Sequence, residues 1–155
     1  MKKILDKILG GVLVILMAIN VMAVLWQVFS RYILQNPSTG TEEIARFLLI
    51  WIGLLGAAYA SGQQEHLSIN ILPPKLEPEN RIKLMIFINI LIVAFCVTVL
   101  VIGGGNLVLM NIELGQNSAA LHLPISVVYM VIPLSGILII IYKLNEIFNA
   151  KKYLL

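Results

Sequence analysis

A chain of 155 residues holds one domain, and with 59% hydrophobic and 12% charged residues it carries about half the charge usual for a soluble one. Such a chain has too little polar surface to solvate itself and is instead solvated by membrane lipid. Its net charge of +3 does not indicate a nucleic-acid partner, because the basic residues flank apolar runs and do not interleave with aromatics along a stripe. The single cysteine, Cys96, excludes an internal disulfide, a thiol redox pair and a cysteine-based zinc site.

In chain order, Lys2 and Lys3 give a basic start, and residues 10–29 follow as an apolar run of twenty. A secretory h-region would be about 7–15 residues long and would end in a small-residue cleavage site. This run is predicted to stay as a membrane span, since about 20 apolar residues cross a hydrocarbon core. A second span is predicted over residues 44–64. Its Gly53, Ala57 and Ser61 are spaced by four, with Gly56 and Ala60 beside them, a pattern that lets another helix backbone approach closely. After it, His66 opens a stretch that ends in Pro73-Pro74, where no helix continues, and a helix restarts near Pro78.

The third span covers residues 84–112, twenty-nine without a formal charge. It is longer than a bilayer requires, and Gly103-Gly104-Gly105 predicts a tilt, a break or an early end. The fourth covers residues 124–142, with Pro124 in its first turn and a kink expected at Pro133. Asn20 falls near the middle of the first span and Asn89 and Asn106 lie in the third, and these amides are expected to join helices to one another. No carboxylate, lysine, arginine or histidine falls at mid-membrane depth, where proton- and ion-coupled carriers place such groups.

Four spans put both termini and the middle loop on one side. That side holds Lys2, Lys3, Lys7, Lys75, Arg81, Lys83, Lys143, Lys151 and Lys152, nine of the eleven basic residues; the other side holds Arg31 and Arg46. The positive-inside rule makes the first side cytoplasmic. The predicted fold is therefore an all-α membrane protein, a single domain over 1–155 with four transmembrane helices, N-in and C-in. His66 and His122 then lie on opposite sides and cannot share a metal or haem, and neither a cofactor nor a catalytic residue is expected.

The first external loop leads from Arg31-Tyr32 through Pro37 to Thr39, Thr41, Glu42, Glu43 and Arg46. Thr39 and Glu42 have the spacing of a capping box, and both carboxylates suit the positive end of a helix. Arg46 is four residues from Glu42 and three from Glu43, within reach of either. The concentration of charge beside Trp51 exceeds what a cap requires and suggests an external contact surface.

Together, Arg31-Tyr32, Pro37, Thr41-Glu42-Glu43, Arg46, Trp51, Gly53, Gly56-Ala57-Ala58 and His66 resemble the small membrane subunit of tripartite ATP-independent periplasmic (TRAP) transporters. That resemblance implies a multi-pass protein of the bacterial inner membrane, part of a sodium-coupled, binding-protein-dependent secondary transporter that imports small organic acids. It implies a large multispan transporting subunit, which this chain packs against and anchors, and a periplasmic substrate-binding protein. The contact residues it brings forward are Arg31, Glu42, Glu43, Arg46, Trp51, Gly53, Ala57, Ser61 and His66. Two other readings of the same spans are a non-transporting tetraspan scaffold of another complex and a small exporter acting as its own oligomer. A quinone-linked thiol oxidoreductase would need pairs of cysteines.

Overall fold

The computed structural model describes residues 2–63 and 78–148. His66 and Pro73-Pro74 lie outside these residues. Helix α1 spans Lys2–Tyr32 and α2 spans Thr39–Gln63. The third span is one continuous helical rod made of α3 (Pro78–Phe95), a π-helical stretch (Cys96–Gly103) and α4 (Gly104–Glu113). The fourth is made of α5 (Ile125–Tyr129) and α6 (Val131–Phe148). All four rods are long and apolar enough to cross a membrane, with mean hydropathies from 1.7 to 3.0. Inside hydrocarbon the backbone has no water to bond, so a chain of this composition satisfies its amides and carbonyls within each helix.

The spans stand side by side in the order first, second, fourth, third. Helix α2 packs against α1 on one flank and α6 on the other, and α6 packs against α3 and the π-helical stretch. This single layer leaves most apolar surface uncovered: even the fourth span, between two neighbours, is only 28% buried. Its small core joins Leu9, Leu55, Val131 and Tyr142, with Trp51, Tyr59 and several leucines packed around them.

The glycine run of the third span does not interrupt it. Helical geometry continues through Gly103 and Gly104 to Glu113. In water a glycine run loosens a helix because the exposed backbone gains other partners, and a bilayer offers none. What Gly104 provides is close approach: a Cβ there would stand 2.6 Å from Ile132 Cγ2 and 3.2 Å from Pro133 Cδ. The irregularity falls earlier, in the wider π-helical turns. In the fourth span the regular helix lapses at Met130, between α5 and α6. Pro133 lacks an N–H and its ring crowds the carbonyl four residues back, that of Tyr129. Pro124, with φ −59° and ψ 123°, sits just ahead of α5 as its cap and not in its first turn.

Candidate functional site

At the end of the spans predicted to be the outer one, α1 closes on Gln35, which takes a left-handed φ of 52°. Arg31, Tyr32, Ile33 and Leu34 are exposed around it. Helix α2 begins at Thr39, so this residue occupies the first turn and does not cap it. The Thr41 hydroxyl donates to the Ser38 carbonyl at 3.0 Å. The Arg46 guanidinium reaches Glu42 at 3.4 Å, and with side chains 69% and 50% exposed this pair stays open to solvent or to a partner.

Glu43 has a different role. Its carboxylate accepts hydrogen bonds from the Ser118 hydroxyl at 2.9 Å and from the backbone N–H groups of Ala119, Ala120 and Leu121 at 3.2, 3.0 and 2.9 Å. One side chain of α2 thus holds the whole turn of the loop between the third and fourth spans. That loop is folded on itself: the Ser118 N–H donates to the Leu123 carbonyl at 2.8 Å, and the Ile125 N–H to the Gln116 carbonyl at 3.0 Å. His122 bends the chain with φ 54° and its N–H donates to the Ser118 carbonyl. Successive N–H groups pointing at one spot make a concave anion site, which an anion of the same chain fills. Glu43 lies outside the apolar span; partial desolvation opposes its charge, yet Ser118 and the three amides hold the carboxyl below its ordinary value.

Glu43→Gln is expected to loosen this loop while leaving the spans helical. An amide has one acceptor oxygen in place of two, and its NH2 would face N–H donors. Losing even one charge-assisted bond should raise amide hydrogen exchange at Ala119–Leu121 by about tenfold or more. Unchanged protection of those three amides would show that the loop holds itself.

Among the described residues, none covers the outward side of α2. Leu49, Gly53, Ala57 and Ala60 are exposed, and nothing lies within 4 Å of a Cβ built on Gly53. The small residues that meet neighbours within the chain are others. Ala58 is fully buried, and Gly62 is so close to α6 that a Cβ would stand 2.6 Å from the Tyr142 ring. At the inner end α6 carries a buried ion pair, Lys143 to Glu146 at 2.9 Å, with side chains only 6% and 10% exposed. Lys143 also donates to the Ser61 carbonyl at 3.4 Å, in the last turn of α2, where carbonyls lack helical partners and a cation is favoured. The Tyr142 hydroxyl donates to Asp6 of α1 at 2.5 Å. Three helices are joined at this end by polar contacts.

The sequence profile of the tripartite ATP-independent periplasmic transporters, DctQ component, matches residues 20–152. The chain belongs to this family. As a DctQ component it is one part of a tripartite transporter, a multi-pass protein of the bacterial inner membrane. It is similar to the sialic acid TRAP transporter small permease protein SiaQ of Vibrio cholerae, 28% identical over all of this chain and 88% of that protein. A putative TRAP transporter small permease protein of Haemophilus influenzae is 26% identical, over 87% of this chain and 82% of that one. The sialic acid TRAP transporter permease protein SiaT of Haemophilus influenzae is 32% identical over 92 residues, 56% of this chain but only 14% of that much longer protein.

In this DctQ component the residues singled out from sequence divide into three groups. Arg31, Glu42 and Arg46 are exposed together at the outer end, and Glu43 beside them is committed to the loop at 118–121. Gly53 and Ala57 form the open face of α2. Trp51 packs half-buried on the chain's own core, and Ser61 lends its carbonyl to Lys143. Sequence reasoning missed the inner cluster. The Lys143-x-x-Glu146 spacing was its one local signal, and nothing in that spacing says that the pair would be buried.

Proposed function

We propose that this DctQ component does not itself carry substrate but holds a large permease subunit in the membrane, within a sodium-coupled importer of small organic acids fed by a periplasmic binding protein. The observation that carries this is the single-layer arrangement. Four spans in a row enclose no interior through which a solute would pass, and their apolar stretches present no ionisable group for coupling. The similarity to a segment of SiaT supports it, since there a sequence like this chain forms part of a longer permease polypeptide. Two of the relatives are named for sialic acid, itself an organic acid.

The surface offered to the large subunit is the bare face of α2, where Gly53, Ala57 and Ala60 allow close helix contact. Asn106 in the third span adds a second reason for a protein partner: it is exposed, and an unpaired amide in hydrocarbon is costly. Affinity purification of the chain should bring down a large multispan permease. Gly53→Leu and Ala57→Leu should release that permease while the chain stays folded. A chain that purifies and transports alone, as a homo-oligomer, would favour a self-sufficient exporter instead.

The bias of nine basic residues against two supports cytoplasmic termini. On that orientation the outer end is periplasmic, and Arg31, Glu42 and Arg46 are the charges left available to a binding protein. Reporter fusions within residues 36–40 should read as periplasmic and within 75–83 as cytoplasmic; inversion at either would defeat this topology.

A further inference from the structure

The loop between the third and fourth spans turns at residues 118–121, where the Ser118 hydroxyl and three successive N–H groups hold a carboxylate at 2.9 to 3.2 Å. We propose that this turn is a docking site for an acidic side chain of the periplasmic binding protein, with Glu43 as a resident ligand that gives way and pairs with Arg46. That a binding protein meets this end of the chain is the reading proposed above, on which this site depends.

The turn fits a carboxylate from any source. Three of its four donors are backbone N–H groups, which recognise the charge and shape of the anion and nothing else of Glu43. Ala119 and Ala120 are exposed, so an incoming carboxylate reaches them from outside the chain. Glu43 in turn has another partner at hand. Arg46 lies three residues along the same helix face, and its pair with Glu42 is long and open to water at 3.4 Å, a bond of little strength. A Glu43 swung to Arg46 stays in the first turns of α2, where the helix favours an anion. The loop meanwhile keeps bonds that Glu43 does not make, Ser118 N–H to the Leu123 carbonyl and Ile125 N–H to the Gln116 carbonyl. One carboxylate replaces another, and no donor is left stranded.

Effective concentration selects the source. Glu43 is tethered beside the turn and acts there at about a millimolar or more. A free organic acid in dilute solution does not displace it. A side chain carried on a docked protein is tethered too, and competes on equal terms. Arg31 and Arg46, both exposed at this end of the chain, draw an acidic surface toward the turn.

The test uses the full-length chain with its large membrane partner in nanodiscs, read by carbodiimide labelling of carboxylates and by amide hydrogen exchange. Saturating binding protein should make Glu43 label several-fold faster while the amides of Ala119–Leu121 stay protected. Labelling and exchange that rise together would mean that the loop merely opens. Glu43 labelling that falls or stays constant on binding would mean that the partner leaves Glu43 in place; either result overturns the exchange. Glu43→Ala removes the internal competitor, so binding-protein affinity should rise about tenfold, and equal or weaker affinity would again overturn it. In the same variant acetate, and not acetamide, should restore protection of the three amides. Failure of acetate would overturn the site itself. Acetate that protects where the binding protein does not bind either form of the complex would overturn the reading of this end as its dock, and the assignment of its side chain falls with it.

Discussion

Lys143→Met is expected to destabilise the chain by about 3–5 kcal/mol, whereas the double change Lys143→Met with Glu146→Leu should recover most of the loss. The asymmetry follows from burial. With side chains 6% and 10% exposed, the two charges are removed from water and rely on each other. Deleting the ammonium leaves a carboxylate buried without a counter-charge, and it also frees the Ser61 carbonyl that Lys143 holds at 3.4 Å. Deleting both charges replaces a desolvated pair with apolar contact, and the exchange is close to neutral. Unfolding of the purified chain in mixed micelles measures all three proteins. A single variant no weaker than an ordinary surface substitution, about 0.5 kcal/mol, would show that the pair is hydrated and structurally idle.

The spans were legible because a run of some twenty apolar residues has few soluble uses, and because basic residues cluster at the ends of such runs. The arrangement of the spans was not. A helix that is apolar nearly all round gives no stripe from which to read its neighbours, so the row of first, second, fourth and third had no signature. For the same reason Gly53 and Ala57 stood out by spacing, while Ala58 and Gly62, one position along the helix, are the small residues buried within the chain. Lipid and a partner helix look alike to composition.

At the outer end, short-range logic succeeded and long-range logic had nothing to use. The i,i+4 spacing pointed to Glu42 and Arg46, which do meet. The partners of Glu43 lie 75 to 78 residues away, and three of its four bonds come from backbone N–H groups, which every non-proline residue carries. No residue type in Ser118–Leu121 announces them. The consequence for function is that the two adjacent carboxylates are not interchangeable. One shapes the loop between the third and fourth spans and the other remains on the surface.

The inner and outer small-residue faces should separate cleanly by mutation. Gly136→Leu is expected to cost about 1–3 kcal/mol or more, because it overpacks the seam between the third and fourth spans. A Cβ on Gly136 would stand 2.7 Å from Leu100 Cβ and 3.2 Å from Val101 Cγ2, and a Cβ cannot swing aside as the tip of a long side chain can. Relief would require α6 to move off the π-helical stretch, and Gly104, packed against Ile132 and Pro133 in the same seam, would lose its fit as well. Gly53→Leu meets open space in the isolated chain and should leave its unfolding within about 0.5 kcal/mol of the parent. If the α2 face is where a large permease packs, that same change should strip the partner from the complex. Mixed-micelle unfolding of the chain and partner recovery on affinity resin therefore give opposite rankings of the two variants. Equal loss of stability in both would mean that α2 has an unrecognised neighbour within the chain. Full partner recovery with Gly53→Leu would mean that its open face is turned to lipid, and the large subunit would have to be sought on the third span around Asn106.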